Sequence, residues 1–91
     1  MVLHDRIADE LIDHKSLGAF IYLINAGREL EFSVNGIECF ISCDKSSGFV
    51  SLWSENREQS FDSAEDLLVN ALAGEDKLLA VWDKIEIKTL F

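Results

Sequence analysis

A two-residue turn between two alternating segments constrains the fold of this chain more than any other feature. Residues 30–34 alternate apolar and polar side chains, Asn35-Gly36 follows, and residues 37–43 alternate again. Asn-Gly favours a type I′ turn because that turn needs positive φ at both central residues. The pattern therefore predicts an antiparallel β-hairpin over residues 30–43, with one apolar face and one wetter face.

The chain after this hairpin continues the two-residue period. Phe49, Ser51 and Trp53 fall on one face of the next predicted strand, opposite the apolar residues between them. The sequence thus predicts a β-meander of three to four strands. The predicted segments are a turn over 44–48, a third strand over 49–54, a polar loop over 55–58 and a short extended piece over 59–61.

Helical patterns precede and follow the meander. Leu3, Ile7 and Leu11 recur at the spacing of one helix face. Ser16 and Gly27 flank the next apolar run as N-cap and C′ residues, and these caps favour a helix over a buried strand. The predicted elements are helices over 2–15 and 17–26, a helix from N-cap Ser63 to about Ala73 that Gly74 ends, a short helix over 77–84 and a last strand over 85–87.

These elements predict one α+β domain over residues 1–91. It has N-terminal helices, an antiparallel three- to four-stranded β-meander, C-terminal helices and a short terminal strand. The length is that of a single domain, and the 48 % hydrophobic residues exclude intrinsic disorder, which needs low hydrophobicity as well as high net charge.

The charge of the chain is strongly negative. It has 17 acidic and 8 basic residues, a formal net charge of −9. Nucleic acids and anionic lipids repel such a protein, so we expect neither direct nucleic-acid binding nor membrane binding. A protein partner with a basic surface is one explanation of the acidity, and solubility alone is the other. No apolar run reaches the roughly 20 residues of a membrane span, and the first residues lack the pattern of a signal peptide, so we expect a cytoplasmic protein.

The acidic residues that a basic partner would contact are predicted from their positions on helices and turns. One set forms a stripe at every fourth residue of the first helix, a second set lies in the first turn of a later helix, and a third lies in the turn after it. The predicted partner-binding residues are Asp5, Asp9 and Asp13, then Glu65 and Asp66, then Glu75 and Asp76.

No pattern of catalytic or metal-binding residues is found. Cys39 and Cys43 stand four residues apart in a predicted strand, roughly 13 Å by strand geometry, which is too far for a disulfide. A structural zinc site needs four ligands, and His4 and His14 lack the i, i+4 spacing of helical zinc ligands. We therefore expect two reduced thiols, no metal, no cofactor and no enzymatic activity.

Seven segments of the chain form an ordered series: Gly27–Phe32, Val34–Gly36, Phe49–Trp53, Gln59–Ser63, Glu65–Leu68, Leu78-Leu79 and Trp82–Ile87. This series, which covers about two thirds of the chain, resembles a group of short, uncharacterised acidic proteins of Gram-positive bacteria and their phages and mobile elements. Because some such proteins inhibit host defence systems, including CRISPR systems, the resemblance implies a non-catalytic inhibitor that presents carboxylates where a nucleic-acid-handling partner expects phosphates.

Two other functions remain open at this point. An immunity protein or antitoxin that neutralises a toxin would be acidic for the same reason. A homodimeric structural module is the third candidate, with Trp53 and Trp82 as its anchors because Trp is enriched at interface hot spots. The sequence leaves a monomer and a homodimer equally open.

Overall fold

A computed structural model of the chain describes residues 3–91, and side chains from residue 6 onward. The chain forms three α-helices, one 3₁₀ helix and seven strands within these residues. The elements are α1 (Leu3–His14), α2 (Leu17–Asn25), β1 (Leu30–Val34), β2 (Ile37–Cys43), β3 (Val50–Ser54), β4 (Arg57–Phe61), α3 (Ala64–Asn70), β5 (Leu72–Ala73), β6 (Asp76–Lys77), the 3₁₀ helix (Leu78–Lys84) and β7 (Glu86–Leu90).

Five strands form one antiparallel sheet in the order β4-β3-β2-β1-β7, and β5 pairs only with β6. Asn35 and Gly36 have φ values of 51° and 80°, so the predicted β1–β2 hairpin is confirmed. β7 returns to pair with β1, aligning Ile87 with Phe32. The predicted α+β class and antiparallel meander are confirmed, and the observed sheet has one strand more than the prediction.

The sheet buries only one of its faces. Phe32 and Leu52 are completely buried, whereas Trp53, the next residue on β3, is 45 % exposed. Each fully buried side chain of this size contributes roughly 1.5–3 kcal/mol of burial free energy. We call the buried side the inner face and the opposite side the outer face. Helical residues that cover the inner face are Leu11, Phe20, Leu23, Ile24, Leu67, Leu68, Leu78, Val81 and Trp82.

Serine N-caps begin α2 and α3, and a glycine follows the end of α2, as the sequence predicts. The Oγ of Ser16 accepts a hydrogen bond from the N–H of Ala19 at 3.2 Å, and the Oγ of Ser63 accepts one from the N–H of Asp66 at 3.1 Å. Gly27 has φ 95° just after α2. That conformation costs glycine little, and it turns the chain away from the helix axis.

The polar loop predicted over 55–58 is wrong for half of its length. Glu55 and Asn56 alone form the turn, with φ values of 50° and 63°, and Arg57 already pairs with Ser54 in the sheet. A two-residue hairpin turn matches the twist of its strands best when both residues have positive φ. Pairing with β3 therefore holds two non-glycine residues in this conformation, and β4 begins earlier than expected.

The helix predicted to reach Ala73 ends at Asn70. The Gln59 amide group donates to the backbone O of Leu72 and accepts from the N–H of Leu72, both at 2.8 Å. These two bonds replace the partners that a further helical turn would supply. Gly74, with φ 67°, lies in the turn between β5 and β6 rather than at a helix end.

The C-terminal elements differ from the prediction in type and length. The predicted 77–84 helix is a 3₁₀ helix. Its Leu79 is 42 % exposed. The last strand extends to Leu90. Trp82 fixes the 3₁₀ helix to the N-terminal half, because its Nε1 donates to the carbonyl of Lys15 at 2.7 Å and its ring contacts Phe20 edge-on, with centroids 5.0 Å apart.

The β5–β6 turn yields a stability test. A Cβ at Gly74 would lie 2.7 Å from Cδ1 of Ile37, on a backbone with φ 67°. We expect Gly74→Ala to lower the free energy of unfolding by about 1–3 kcal/mol, because strain and overlap add. Urea titration measures the change. Gly18→Ala is the control, since a Cβ there meets only Ser16 Oγ at 3.9 Å; equal midpoints for the two variants would contradict the packing described.

Candidate functional site

The outer face of the sheet carries a row of side chains that crosses all five strands. The antiparallel registers align Thr89 with Glu31, Glu31 with Phe40, Phe40 with Trp53 and Trp53 with Glu58. Directly opposed residues of neighbouring strands place their Cβ atoms roughly 4.5–5.5 Å apart. Phe40 and Trp53 are therefore directly opposed at the centre of the sheet, with Glu31 next to Phe40 and Glu58 next to Trp53 on the flanking strands.

Three aromatic side chains, Phe40, Trp53 and Phe91, form what we call the aromatic patch. The rings of Phe40 and Phe91 meet edge-on with centroids 5.9 Å apart. The Nε1 of Trp53 donates to Ser42 Oγ at 3.1 Å, which orients the indole. Phe91 is 58 % exposed and Trp53 45 %, so both rings present a large apolar surface to solvent. Such surface is the kind that protein interfaces bury at their centres.

The backbone holds Phe91 at this position although it is the last residue of the chain. Its N–H donates to the carbonyl of Glu29 at 2.8 Å, and Arg28 Nε donates to the carbonyl of Phe91. The ring thus sits on an anchored backbone, and its exposure does not arise from a loose end.

Carboxylates surround the aromatic patch. Glu31 accepts from Thr89 Oγ1 at 3.1 Å, and Glu38 pairs with Lys88, the only ion pair within the described residues. The hydrogen bond to Glu38 raises the pKa of Lys88. Four glutamates against Lys88 and the Arg28 beside Phe91 leave this face with a net negative charge. We call the aromatic patch together with these glutamates the outer-face patch: Phe40, Trp53, Phe91, Glu31, Glu38, Glu58 and Glu86.

The acidic stripe predicted on the first helix lies on α1, which packs against α2 on the helical side of the molecule. Asp9 and Asp13 are exposed. The side chain of Asp5 lies outside the described residues. Asp9 and Asp13 are therefore available to a partner, but on the helical layer and not in the outer-face patch.

The acidic residues predicted at the start of α3 are held by neighbouring amides. Glu65 Oε1 accepts from Asn25 Nδ2 at 2.7 Å, and the other end of the Asn25 amide accepts from the N–H of Ala64 at 3.0 Å. Asp66 Oδ1 accepts from Asn70 Nδ2 at 2.6 Å. The bond from Asn25 lowers the pKa of Glu65. Glu65 thus joins α3 to α2, whereas Asp66 stabilises α3 from within through its bond to Asn70.

The last two predicted residues, Glu75 and Asp76, lie at the other end of the sheet. They line a groove of about 660 Å³ together with Arg57 and the β1–β2 turn. Asn25, the partner of Glu65, lines a groove with the opposite end of β2. Seven strand residues separate the two ends by roughly 20 Å. The structure therefore does not gather the predicted acidic residues onto one surface.

In the part of the chain that the structure describes, the cysteines and carboxylates do not assemble into a group that could hold a metal ion. Cys39 and Cys43 are both free thiols, as the strand spacing predicts. Burial, with Glu38 and Glu55 nearby, raises the pKa of Cys39 to about 11. The Cys43 thiol donates to the carbonyl of Arg28 at 3.4 Å. Within residues 3–91, no group of three or more His, Cys, Asp and Glu could hold a metal ion, and no helix is long and apolar enough to cross a membrane.

The outer-face patch was only partly visible in the sequence. Alternation puts Glu31 on the wet face of its strand and Trp53 on the strand face opposite Val50 and Leu52, and Trp53 is predicted as an anchor of a homodimer. What was missed is that Phe40 and Phe91 join Trp53, because this requires the strand registers and the return of β7 to β1. One signal is present in the sequence: Phe40 is a large apolar residue between polar Glu38 and Ser42 on the same face of its strand.

Comparison with protein-family models, with curated proteins and with solved structures finds no match for this chain. The resemblance to small acidic phage-associated proteins therefore stays a prediction.

The Asn25–Glu65 bond gives a test of the α2–α3 contact. We expect Asn25→Ala to raise the pKa of Glu65 toward its ordinary value, because the donor to its charged form is lost. A folded-state pKa below the unfolded one adds stability above the unfolded pKa, and this stability is lost as pH falls through the folded pKa. Carboxyl NMR titration measures the shift, with Asn70→Ala as the control that leaves Glu65 unchanged. An unaltered Glu65 titration in Asn25→Ala would refute the bond.

Proposed function

We propose that this protein is a non-catalytic binding protein whose outer-face patch docks on a basic surface of a partner protein. The observation that carries the proposal is the row in which Phe40 and Trp53 lie between Glu31 and Glu58 on an uncovered sheet face. An exposed apolar centre with a charged rim is the general arrangement of a protein interface.

The chemistry of the patch favours a partner rich in arginine or lysine. The faces of aromatic rings attract cations, and the contact contributes roughly 0.5–2 kcal/mol depending on desolvation. The glutamates around Trp53 add Coulombic attraction, and the net charge of −9 steers the whole molecule toward a basic surface. The aromatic rings would supply most of the affinity and the carboxylates the orientation.

Enzymes that handle nucleic acids expose basic surfaces of this kind, so an inhibitor that occupies a phosphate-binding site is the specific form of our proposal. An anti-CRISPR-like protein is one such inhibitor. The free thiols of Cys39 and Cys43 accord with a reducing compartment, which supports a cytoplasmic location. The raised thiol pKa values of both cysteines support a role without nucleophilic catalysis.

An immunity protein would use the same patch against a basic toxin, and this alternative stays a prediction. A homodimer anchored on Trp82 loses support, because that indole is 8 % exposed and its N–H is bonded to Lys15. Trp53 remains available as an anchor.

Affinity capture from lysate of the cells that encode the protein tests the proposal when variants are compared. We expect Trp53→Ala to weaken capture of its main partner by about 2 kcal/mol, as truncation of an interface hot spot does. Val69→Ala, an exposed apolar residue of α3 (55 % exposed), is the matched control and retains the partner.

The carboxylates are tested in the same way. Glu31→Gln with Glu58→Gln should reduce capture and its salt dependence, whereas Asp9→Asn with Asp13→Asn should not. If the Asp9→Asn, Asp13→Asn double variant loses the partner and the Glu31→Gln, Glu58→Gln double variant retains it, the binding site lies on α1 and the proposal is overturned.

A further inference from the structure

β4 is an outer edge of the sheet, and its hydrogen-bonding pattern follows from its turn. Ser54 and Arg57 flank the two-residue turn, so they exchange both of their backbone hydrogen bonds. Bonded and non-bonded pairs alternate along antiparallel strands. Gln59 therefore bonds to β3 as well, whereas Glu58 and Ser60 direct their N–H and C=O groups away from the sheet.

The opposite end of the hairpin gives the same alternation independently. The N–H of Asp44 donates to the carbonyl of Phe49 at 2.9 Å, just outside the β2–β3 pairing. Counting alternate pairs from that bond makes Phe40 and Trp53 a bonded pair. The backbone of Trp53 then bonds to β2, which leaves its β4 partner Glu58 without a bond to β3.

These edge groups are open to solvent. Glu58 and Ser60 are both exposed, and within residues 3–91 the turn, loop and cap hydrogen bonds do not involve their backbone groups. Among the side chains of β4, only that of Gln59 bonds to the backbone of another element within the described residues. Its two hydrogen bonds go to Leu72, on the inner face. β4 therefore presents two N–H and two C=O groups in the geometry that receives another strand.

The opposite edge of the sheet is protected against such pairing. The β1–β7 register shifts at Glu31/Phe32, which makes Lys88 the extra residue of a bulge. A bulge and a lysine on an edge are two common devices that prevent strand addition. β4 carries charged Arg57 and Glu58 but has no bulge and no lysine, so its backbone ladder is regular and the two edges differ in what they can accept.

We propose that β4 receives an extended, basic segment of the partner as an added strand, which extends the sheet and its outer-face patch. This inference rests on the proposed function and specifies how the partner docks. An added strand places every second side chain on the outer face. The side chain of the added strand that lies beside Glu58 continues the row that holds Trp53. An arginine or lysine at that position contacts the Glu58 carboxylate and approaches the Trp53 ring.

A second copy of this chain fits the same edge less well. Pairing two β4 strands antiparallel about Gln59 sets each Glu58 diagonally across from the other, roughly 7–8 Å apart. It also joins two chains that each carry a net charge of −9. Charge complementarity therefore selects a basic strand over self-association.

The probe for this inference is a blocked seven-residue peptide that alternates arginine and valine, starting and ending with arginine. A scrambled peptide of the same composition, with its four arginines consecutive, controls for attraction that depends on charge alone. ¹⁵N NMR titration at low salt follows the amides and the indole. We expect the alternating peptide to bind more tightly than the scrambled one and to shift the amides of Glu58 and Ser60 and the Trp53 indole.

Proline at Ser60 removes one outward N–H without touching a bond to β3, a position at which edge strands tolerate proline. We expect Ser60→Pro to weaken binding about tenfold, the effect of losing one hydrogen bond. Ser60→Ala, which also loses the bond between Ser51 Oγ and Ser60 Oγ at 2.9 Å but keeps the N–H, should bind within about twofold of the parent protein.

A modified peptide gives the same test on the unaltered protein. N-methylation of the peptide's valines and N-methylation of its arginines block opposite edges of the added strand, so only one of the two peptides should bind. Equal binding of both, or no preference for the alternating peptide over the scrambled one, overturns the strand addition. Loss of binding in Trp53→Ala but not in Ser60→Pro also overturns it while leaving the proposed function intact. Shifts confined to the amides around Asp9 and Asp13 overturn both.

Discussion

One-sided burial of the five-stranded sheet is the constraint on which the rest of this structure depends. Every second residue of β1, β2 and β3 enters a core covered by the helices, as Phe32 and Leu52 do. A one-residue shift of any register would move such side chains into water. Because the core is built from one face, the other face is released from packing, and its side chains are open to selection for a different purpose.

A few polar side chains hold the helical layer on this sheet. Gln59 bonds both backbone groups of Leu72, Asn25 connects α2 to the start of α3, and Trp82 bonds the carbonyl of Lys15. Each of these side chains bonds to a backbone group at the end of an element that is distant along the chain. The side chain thus supplies the partner that a regular backbone hydrogen bond would otherwise provide. The layer is therefore positioned without covering the outer face.

Local signals predicted most of the fold, and non-local contacts account for what was missed. Asn35-Gly36, Ser16 and Ser63 act within a few residues, and the turns and caps they predict are present. The early end of α3 depends on Gln59, eleven residues before Asn70, and no local pattern could indicate it. Likewise, the acidic residues were grouped by their positions along the chain, whereas strand registers brought Phe40, Trp53 and the glutamates together.

β4 ends the sheet beside an uncovered face, so the state of its outward N–H groups decides whether a strand can be added. Hydrogen exchange of single amides in the free protein, followed by NMR, measures that state. We expect slow exchange for Arg57, Gln59 and Phe61, which bond to β3, and fast exchange for Glu58 and Ser60 between them. Protection of Glu58 and Ser60 equal to that of Gln59 would show that the edge is already paired and would rule out strand addition.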